Sequence, residues 1–130
     1  MKKDDSFVYK QAYLMSICLA CAHVVMLFLF LYIHVYEMVL YNIVSVLYFG
    51  IISYCAKYRK LRRDILVIMN ESEIVLHQIL AVSFVGLEFG FQYVLFAMIV
   101  PITLVLKDER FKVYTIIKSL FSASAFLVLF

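Results

Sequence analysis

Three titratable side chains lie at the start of the longest apolar stretch of the chain or within it: Glu73, His77 and Glu88. Such groups are costly to place within apolar segments, so they often mark proton relays, ion pathways or ligand sites. Steps of four and eleven residues return to nearly the same face of a helix. However, about fifteen residues of helical rise, roughly 22 Å, separate Glu73 from Glu88. The three residues therefore divide into an inner group and an outer group.

The inner group contains Glu73 and His77, which are one helical turn apart. Lys118 belongs to a later apolar segment and lies at a comparable predicted depth. The sharper hypothesis is a polar site formed by Glu73, His77 and Lys118, which would join the third and fifth apolar segments. The alternative is that Lys118 extends its ammonium group to the headgroup region without contacting the other two.

The outer group comprises two short turns. Glu88 and Gln92 flank Gly86 and Gly90, and glycine permits a positive-φ turn or a close helix approach. The other outer turn contributes a second set of polar candidates: His34, Glu37 and Asn42. Together the two turns predict a shallow outer pocket. The alternative is that Glu88 simply faces water at the level of the headgroups.

Long apolar runs separate the basic residues, and 66% of all residues are hydrophobic. Such runs cross a bilayer as helices, because hydrocarbon offers no hydrogen bonds to exposed backbone. The pattern predicts an all-α, polytopic transmembrane helix bundle, a single membrane domain over residues 1–130. Its five spans are expected at about 12–33, 38–56, 74–89, 91–106 and 112–130, and a re-entrant hairpin is the alternative to the two short spans over 74–106.

The positions of Lys and Arg predict the orientation, because basic loops remain in the cytoplasm. Residues 57–73 form a cytoplasmic loop in this prediction, either a solvated loop or a short amphipathic helix on anionic headgroups. The amino terminus is then cytoplasmic, and the expected location is the inner membrane with the lipid bilayer as partner. The final residues, Phe-Leu-Val-Leu-Phe130, lead us to expect a longer protein with a sixth span and an output domain.

Several kinds of chemistry are not indicated by the sequence. Cys18, Cys21 and His23 do not match a haem-attachment motif and do not provide four ligands for zinc, so we interpret them as packing residues. No glycine-rich phosphate loop, nucleophile elbow or paired acid and base is present. We therefore expect no catalytic residue, cofactor, metal site or nucleic-acid partner within this segment.

The segment Glu73-x-x-x-His77 followed by Gly86-Leu-Glu-Phe-Gly-Phe-Gln-Tyr93 resembles the amino-terminal membrane region of certain bacterial signalling proteins. In that group a multi-span sensor precedes a cytoplasmic GGDEF diguanylate cyclase or class III adenylate/guanylate cyclase domain. The resemblance implies a homodimer and a cytoplasmic output domain on the same chain. It also implies that the motif positions help to form the sensing bundle: His77, Gly86, Glu88, Gly90, Phe91 and Tyr93.

The sequence thus predicts a membrane-embedded sensor and anchor of a bacterial signal-transduction protein. One alternative is a small transporter or ion carrier that uses Glu88 or His77. Such a carrier should have a charged residue near the middle of the bilayer, and the first two predicted spans contain no carboxylate. The other alternative is a structural subunit of a larger membrane complex.

Overall fold

The computed structural model of the chain describes residues 2–91 and residue 93, with side chains from residue 6 onward. They form three long helices: α1 (Lys2–Tyr32), α2 (Tyr36–Lys57) and α3 (Arg63–Val85). A single 3₁₀ turn, Leu87–Phe89, follows α3. This part of the chain contains no strand, so the predicted all-α fold class is confirmed.

Each helix is long and apolar enough to cross a membrane, over Ser6–Tyr32, Tyr36–Lys57 and Arg63–Val85. The prediction of a membrane-embedded helical protein is therefore confirmed. The described residues support three spans and not five. The predicted fourth and fifth spans, 91–106 and 112–130, lie almost wholly outside the described residues.

The first two helices end in the same way, with one residue in the left-handed conformation. After α1, His34 has a φ of 61°, and the Val35 N–H donates to the Phe30 carbonyl at 3.0 Å. After α2, Arg59 has a φ of 51°, and the Lys60 N–H donates to the Cys55 carbonyl at 2.9 Å. These are the hydrogen bonds of a Schellman motif, which satisfies the last carbonyls of a helix and reverses the chain.

The third helix differs most from the prediction. It begins at Arg63, so most of the segment 57–73 that the sequence assigns to a cytoplasmic loop is helical. Only residues 58–62 separate α2 from α3. The third span is thus 63–85 instead of 74–89, and Glu73 lies near the middle of a helix instead of at its edge. The predicted positive-φ turn is observed directly after α3, with φ values of 95° at Gly86 and 76° at Gly90.

The chain divides into two compact units, residues 1–74 and 75–130. In the first unit, the buried residues of each helix recur in steps of three and four, or in sums of such steps. This is the spacing with which helices pack side by side. On α1 they are Ala12, Ser16, His23 and Phe30; on α2, Met38, Asn42, Ser45, Phe49, Ile52 and Ala56; on α3 this spacing relates Leu66, Asn70 and Glu73, while Glu71 and Ile74 are buried beside them.

The first unit buries polar residues among apolar ones and exposes large apolar side chains. Its buried stripes contain serine, asparagine, histidine and glutamate, whereas Phe28, Leu40, Leu47 and Ile51 are each more than 60% exposed. In lipid, apolar side chains gain nothing by leaving the surface, and polar groups are placed between helices where they can find partners. The distribution of side chains therefore agrees with the membrane assignment.

Candidate functional site

A buried carboxylate lies where the three helices of the first unit meet. Glu73 of α3 faces His23 of α1 and Ser45 of α2, and none of the three is more than 7% exposed. We refer to these three residues as the Glu73 cluster. Each belongs to the inward stripe of its helix and lies well inside the helix, so the cluster is far from both ends of the bundle.

Both α1 and α2 contact the same oxygen of Glu73. The Ser45 hydroxyl donates a hydrogen bond to Oε1 at 2.5 Å, and His23 Nε2 lies 3.4 Å from Oε1. The second oxygen, Oε2, is buried and accepts no hydrogen bond from the described residues. One carboxylate therefore connects α3 to both other helices.

The His23 ring is held in place on two sides. Its Nδ1 lies 2.7 Å from the Leu19 carbonyl oxygen, one turn earlier on α1. Its ring centroid lies 5.1 Å from that of Phe49 on α2, at a tilted angle typical of aromatic pairs. These two contacts fix which ring nitrogen points toward Glu73.

Two tyrosines of α2 border the cluster. The Tyr41 hydroxyl lies within reach of both Ser45 and Glu73. The Tyr48 hydroxyl donates to the Met69 carbonyl of α3 at 3.0 Å. The polar hydroxyl of Tyr48, a residue in the interior of α2, is thus explained by a hydrogen bond between helices.

A second polar contact joins α1 and α3 nearer the amino-terminal end of α1. Ser16 Oγ lies 2.8 Å from both the Ala12 carbonyl and Asn70 Oδ1, so its single proton serves two acceptors. The Asn70 amide nitrogen donates to the Leu66 carbonyl at 2.9 Å. Polar side chains thus line the α1–α3 interface at two levels.

Of the three residues of the predicted inner site, Glu73 belongs to the Glu73 cluster. Glu73 is a site residue, but its observed partners are His23 and Ser45. His77 is buried and belongs to the second unit, and Lys118 lies outside the described residues. The site of Glu73, His77 and Lys118 therefore remains a prediction.

The members of the predicted outer pocket occupy different environments. His34 and Glu37 are exposed, and His34 Nδ1 lies 3.3 Å from the Tyr36 hydroxyl. Asn42 is buried in the inward stripe of α2, where its amide nitrogen donates to the Met38 carbonyl at 2.6 Å. Asn42 thus belongs to the core of the first unit and not to the exposed turn.

The other turn of that pocket lies in the second unit. Glu88 is exposed, as the alternative interpretation expects, and Phe91 is buried. Tyr93 is 64% exposed, and its N–H donates to the Gly90 carbonyl at 3.0 Å. Gln92 lies outside the described part of the chain. The outer pocket as a whole stays a prediction.

Sequence reasoning did not identify His23, Ser45 and Asn70 as site residues. It interpreted His23, together with Cys18 and Cys21, as a packing residue of the first span. In the structure Cys18 and Cys21 are exposed while His23 points inward. The signal that could have found these residues is the spacing of polar side chains in steps of three and four, such as Asn42 and Ser45 on α2 or Asn70 and Glu73 on α3.

No group of three or more His, Cys, Asp or Glu residues that could hold a metal ion occurs within residues 2–91 and 93. Comparisons with models of protein families, with curated proteins and with solved structures give no match. Function is therefore inferred from the geometry of the Glu73 cluster.

Proposed function

We propose that this chain is the membrane-embedded sensing and anchoring region of a bacterial signalling protein, with the Glu73 cluster as its responsive element. The observation that supports the proposal most directly is that one buried carboxylate contacts α1 through His23 and α2 through Ser45. A change in the charge or partners of Glu73 would therefore act on both neighbouring helices at once.

The physical basis is the cost of a polar group in an apolar medium. A carboxylate between membrane helices is stabilised only by its local partners, so the helix packing depends on which partners it has. A sensor needs two packings of similar free energy, and it needs a ligand that favours one of them. A polar contact shared by three helices is a suitable place for such a switch.

The remaining features of the proposal come from the sequence. They are five crossings of the inner membrane, a cytoplasmic amino terminus and a homodimer whose later residues lead to a nucleotide cyclase domain. Reading the gene beyond codon 130 tests the last of these. A GGDEF or class III cyclase domain would support the sensor, and a stop codon would contradict the link to a cyclase.

A second candidate function is a small proton or ion carrier. The position of Glu73 favours it, since the carboxylate lies near the middle of α3 and not at its edge. Mid-membrane carboxylates are common in proton pathways. Ser16 and Asn70 extend the polar α1–α3 interface toward one end of the bundle.

Electron paramagnetic resonance can test the sensor. Spin labels at Ile17 on α1 and Ile68 on α3, both exposed, report the separation of these helices in lipid nanodiscs. Cys18, Cys21 and Cys55 are replaced by alanine so that only the two labels react. We expect two distance populations whose ratio changes with pH, salt or anionic-lipid content, and we expect Glu73→Gln to hold one of them.

The matched control is Glu37→Gln, since Glu37 is an exposed carboxylate of the same unit. It should leave the distance distribution as in the unsubstituted chain. A single distance population that is insensitive to every condition would contradict the sensor. In sealed vesicles loaded with a pH-sensitive dye, a proton flux that Glu73→Gln abolishes would favour the carrier.

A further inference from the structure

The hydrogen-bonding chemistry of His23 determines how many protons the Glu73 cluster must hold. His23 Nδ1 lies 2.7 Å from the Leu19 carbonyl oxygen, and a carbonyl oxygen can only accept a hydrogen bond. Nδ1 must therefore carry a hydrogen. In a neutral imidazole the other nitrogen, Nε2, then has a lone pair and no hydrogen.

That lone pair faces another acceptor. His23 Nε2 lies 3.4 Å from Glu73 Oε1, and an ionised carboxylate has no hydrogen to offer. Ser45 already donates its hydroxyl hydrogen to the same oxygen. A neutral His23 beside an ionised Glu73 would thus place two acceptors against each other, which the buried location makes unfavourable.

We propose that His23 and Glu73 bind one exchangeable proton between them, and that the proton is the ligand to which the Glu73 cluster responds. With the proton present, the pair is either imidazolium and carboxylate or imidazole and carboxylic acid. Both forms have a donor between Nε2 and Oε1 and no net charge. When the proton leaves, one uncompensated negative charge remains.

Within the part of the chain that the structure describes, the surroundings of Glu73 offer little to replace that proton. The chain contains no Lys or Arg between residues 11 and 56, nor between 64 and 106. On α2, Ser45 contacts Glu73, and the titratable residues that interact electrostatically with Glu73 are Tyr41 and Tyr48, which are neutral when protonated. On α3 itself the nearest titratable residues in the sequence are Glu71 and His77. Among the groups that contact Glu73 from α1 and α2, only His23 can become a cation.

The inference rests on the proposed function and specifies its regulation. Raising the pH removes the proton, after which Nε2 and Oε1 repel each other across the α1–α3 interface. Lowering the pH restores the contact. The cluster would therefore couple the proton concentration on the side from which it is reached to the packing of α1 against α3.

Infrared difference spectroscopy of the full chain in lipid nanodiscs tests the inference. A protonated carboxylic acid has a carbonyl stretching band that a carboxylate lacks, and deuteration shifts this band. If the proton resides on Glu73, a pH titration should change one such band, and Glu73→Gln should remove it while Glu37→Gln leaves it. Ser45→Ala should keep the band, because Ser45 contacts Oε1, the oxygen that carries the proton, and not the carbonyl oxygen Oε2.

If the proton resides on His23, ¹⁵N-labelled histidine reports it in the same samples. The His23 resonance, identified by its loss in His23→Gln, should then change from imidazolium to imidazole over the titration. Glu73→Gln should convert it to the neutral ring at every pH tested, since the amide can itself donate to Nε2. Helicity by circular dichroism confirms that each variant folds.

The inference is overturned if neither the Glu73 band nor the His23 resonance changes with pH while the variants remain helical. Its failure is separable from that of the sensor proposal. A proton that titrates without altering the Ile17–Ile68 distance would leave the binding site intact and contradict the sensor. An Ile17–Ile68 distance that responds to salt or lipid, without titration of the cluster, would support the sensor and contradict the shared proton.

Discussion

Ser16 and Asn70 are hydrogen bonded across the α1–α3 interface, with 2.8 Å between Oγ and Oδ1. Both are buried, and they are 54 residues apart in the chain. Small hydroxyl side chains let membrane helices approach closely, and an amide partner on the facing helix then satisfies the hydroxyl. This contact, together with the Glu73 cluster, sets the alignment of α1 along α3.

The first prediction concerns the energetic coupling of Ser16 to Asn70. In a double-mutant cycle of Ser16→Ala and Asn70→Ala, we expect a coupling free energy of about 0.6 kcal/mol, with ~1.7 kcal/mol as the upper end for such bonds in membranes. Reversible unfolding in mixed micelles measures it. Ser72 is the control, since its hydroxyl bonds Met69 of its own helix, so Ser72→Ala should be additive with Ser16→Ala. Equal coupling in both cycles would refute the assignment.

The second prediction separates the charge of Glu73 from its hydrogen bonds. Glu73→Ala leaves His23 and Ser45 buried without their partner, so it should lower the free energy of unfolding by about 1–3 kcal/mol. At the position of Oε1, Glu73→Gln can place either an oxygen that accepts from Ser45 or an NH₂ group that donates to His23 Nε2. It retains one of the two contacts, so it should lower the free energy of unfolding by less than Glu73→Ala does.

The same micelle unfolding measurement compares the two variants of Glu73. Glu37→Ala, at an exposed carboxylate, should change stability by no more than about 0.5 kcal/mol. If Glu73→Ala lowered the free energy of unfolding no more than Glu37→Ala, the cluster would have no role in holding the helices together.

The third prediction compares two glycines that both have open space around them. A Cβ at Gly86 or at Gly50 would meet nothing within 4 Å. Gly86 has φ 95° and ψ 172°, a conformation that is essentially restricted to glycine, so Gly86→Ala should destabilise the protein by about 1–3 kcal/mol. Gly50 lies inside α2, so Gly50→Ala should stabilise it by about 0.5–1 kcal/mol. Thermal unfolding followed by circular dichroism distinguishes them; the opposite order would rule out the observed turn.

The fourth prediction concerns orientation. Five of the residues from 57 to 63 are Lys or Arg, which predicts a cytoplasmic location for the α2–α3 connection. An alkaline phosphatase reporter fused after Ala56 should be inactive, and one fused after Gly90 should be active. A green fluorescent protein fusion at the same two sites provides the complementary control. Activity after Ala56 would reverse the proposed topology.

The membrane location and the helical fold could be predicted from the sequence because they depend on local properties. Runs of apolar residues long enough to cross a bilayer have no other way to satisfy their backbone there. The turns near His34 and Gly86 were also visible, since short polar interruptions and glycines mark the ends of the runs. Each of these features is decided within a segment of about twenty residues.

The start of α3 was not predictable in this way. Arg62, Arg63, Asn70, Glu71 and Glu73 make residues 57–73 look like a solvated connection when the segment is considered alone. Within the bundle, Asn70 and Glu73 face inward and bond to α1 and α2, so their polarity does not end the helix. Only the presence of the facing helices makes these residues compatible with a membrane span.

Considered alone, the sequence determined that the chain crosses a membrane as helices, and it identified Glu73 as a group needing a partner. Which partner it has was decided only by the tertiary structure, because His23, Ser45 and Glu73 belong to three helices and meet through the register in which those helices pack. Apolar stretches are recognised by composition, whereas a polar contact between helices depends on rotation and axial position, which no single segment specifies.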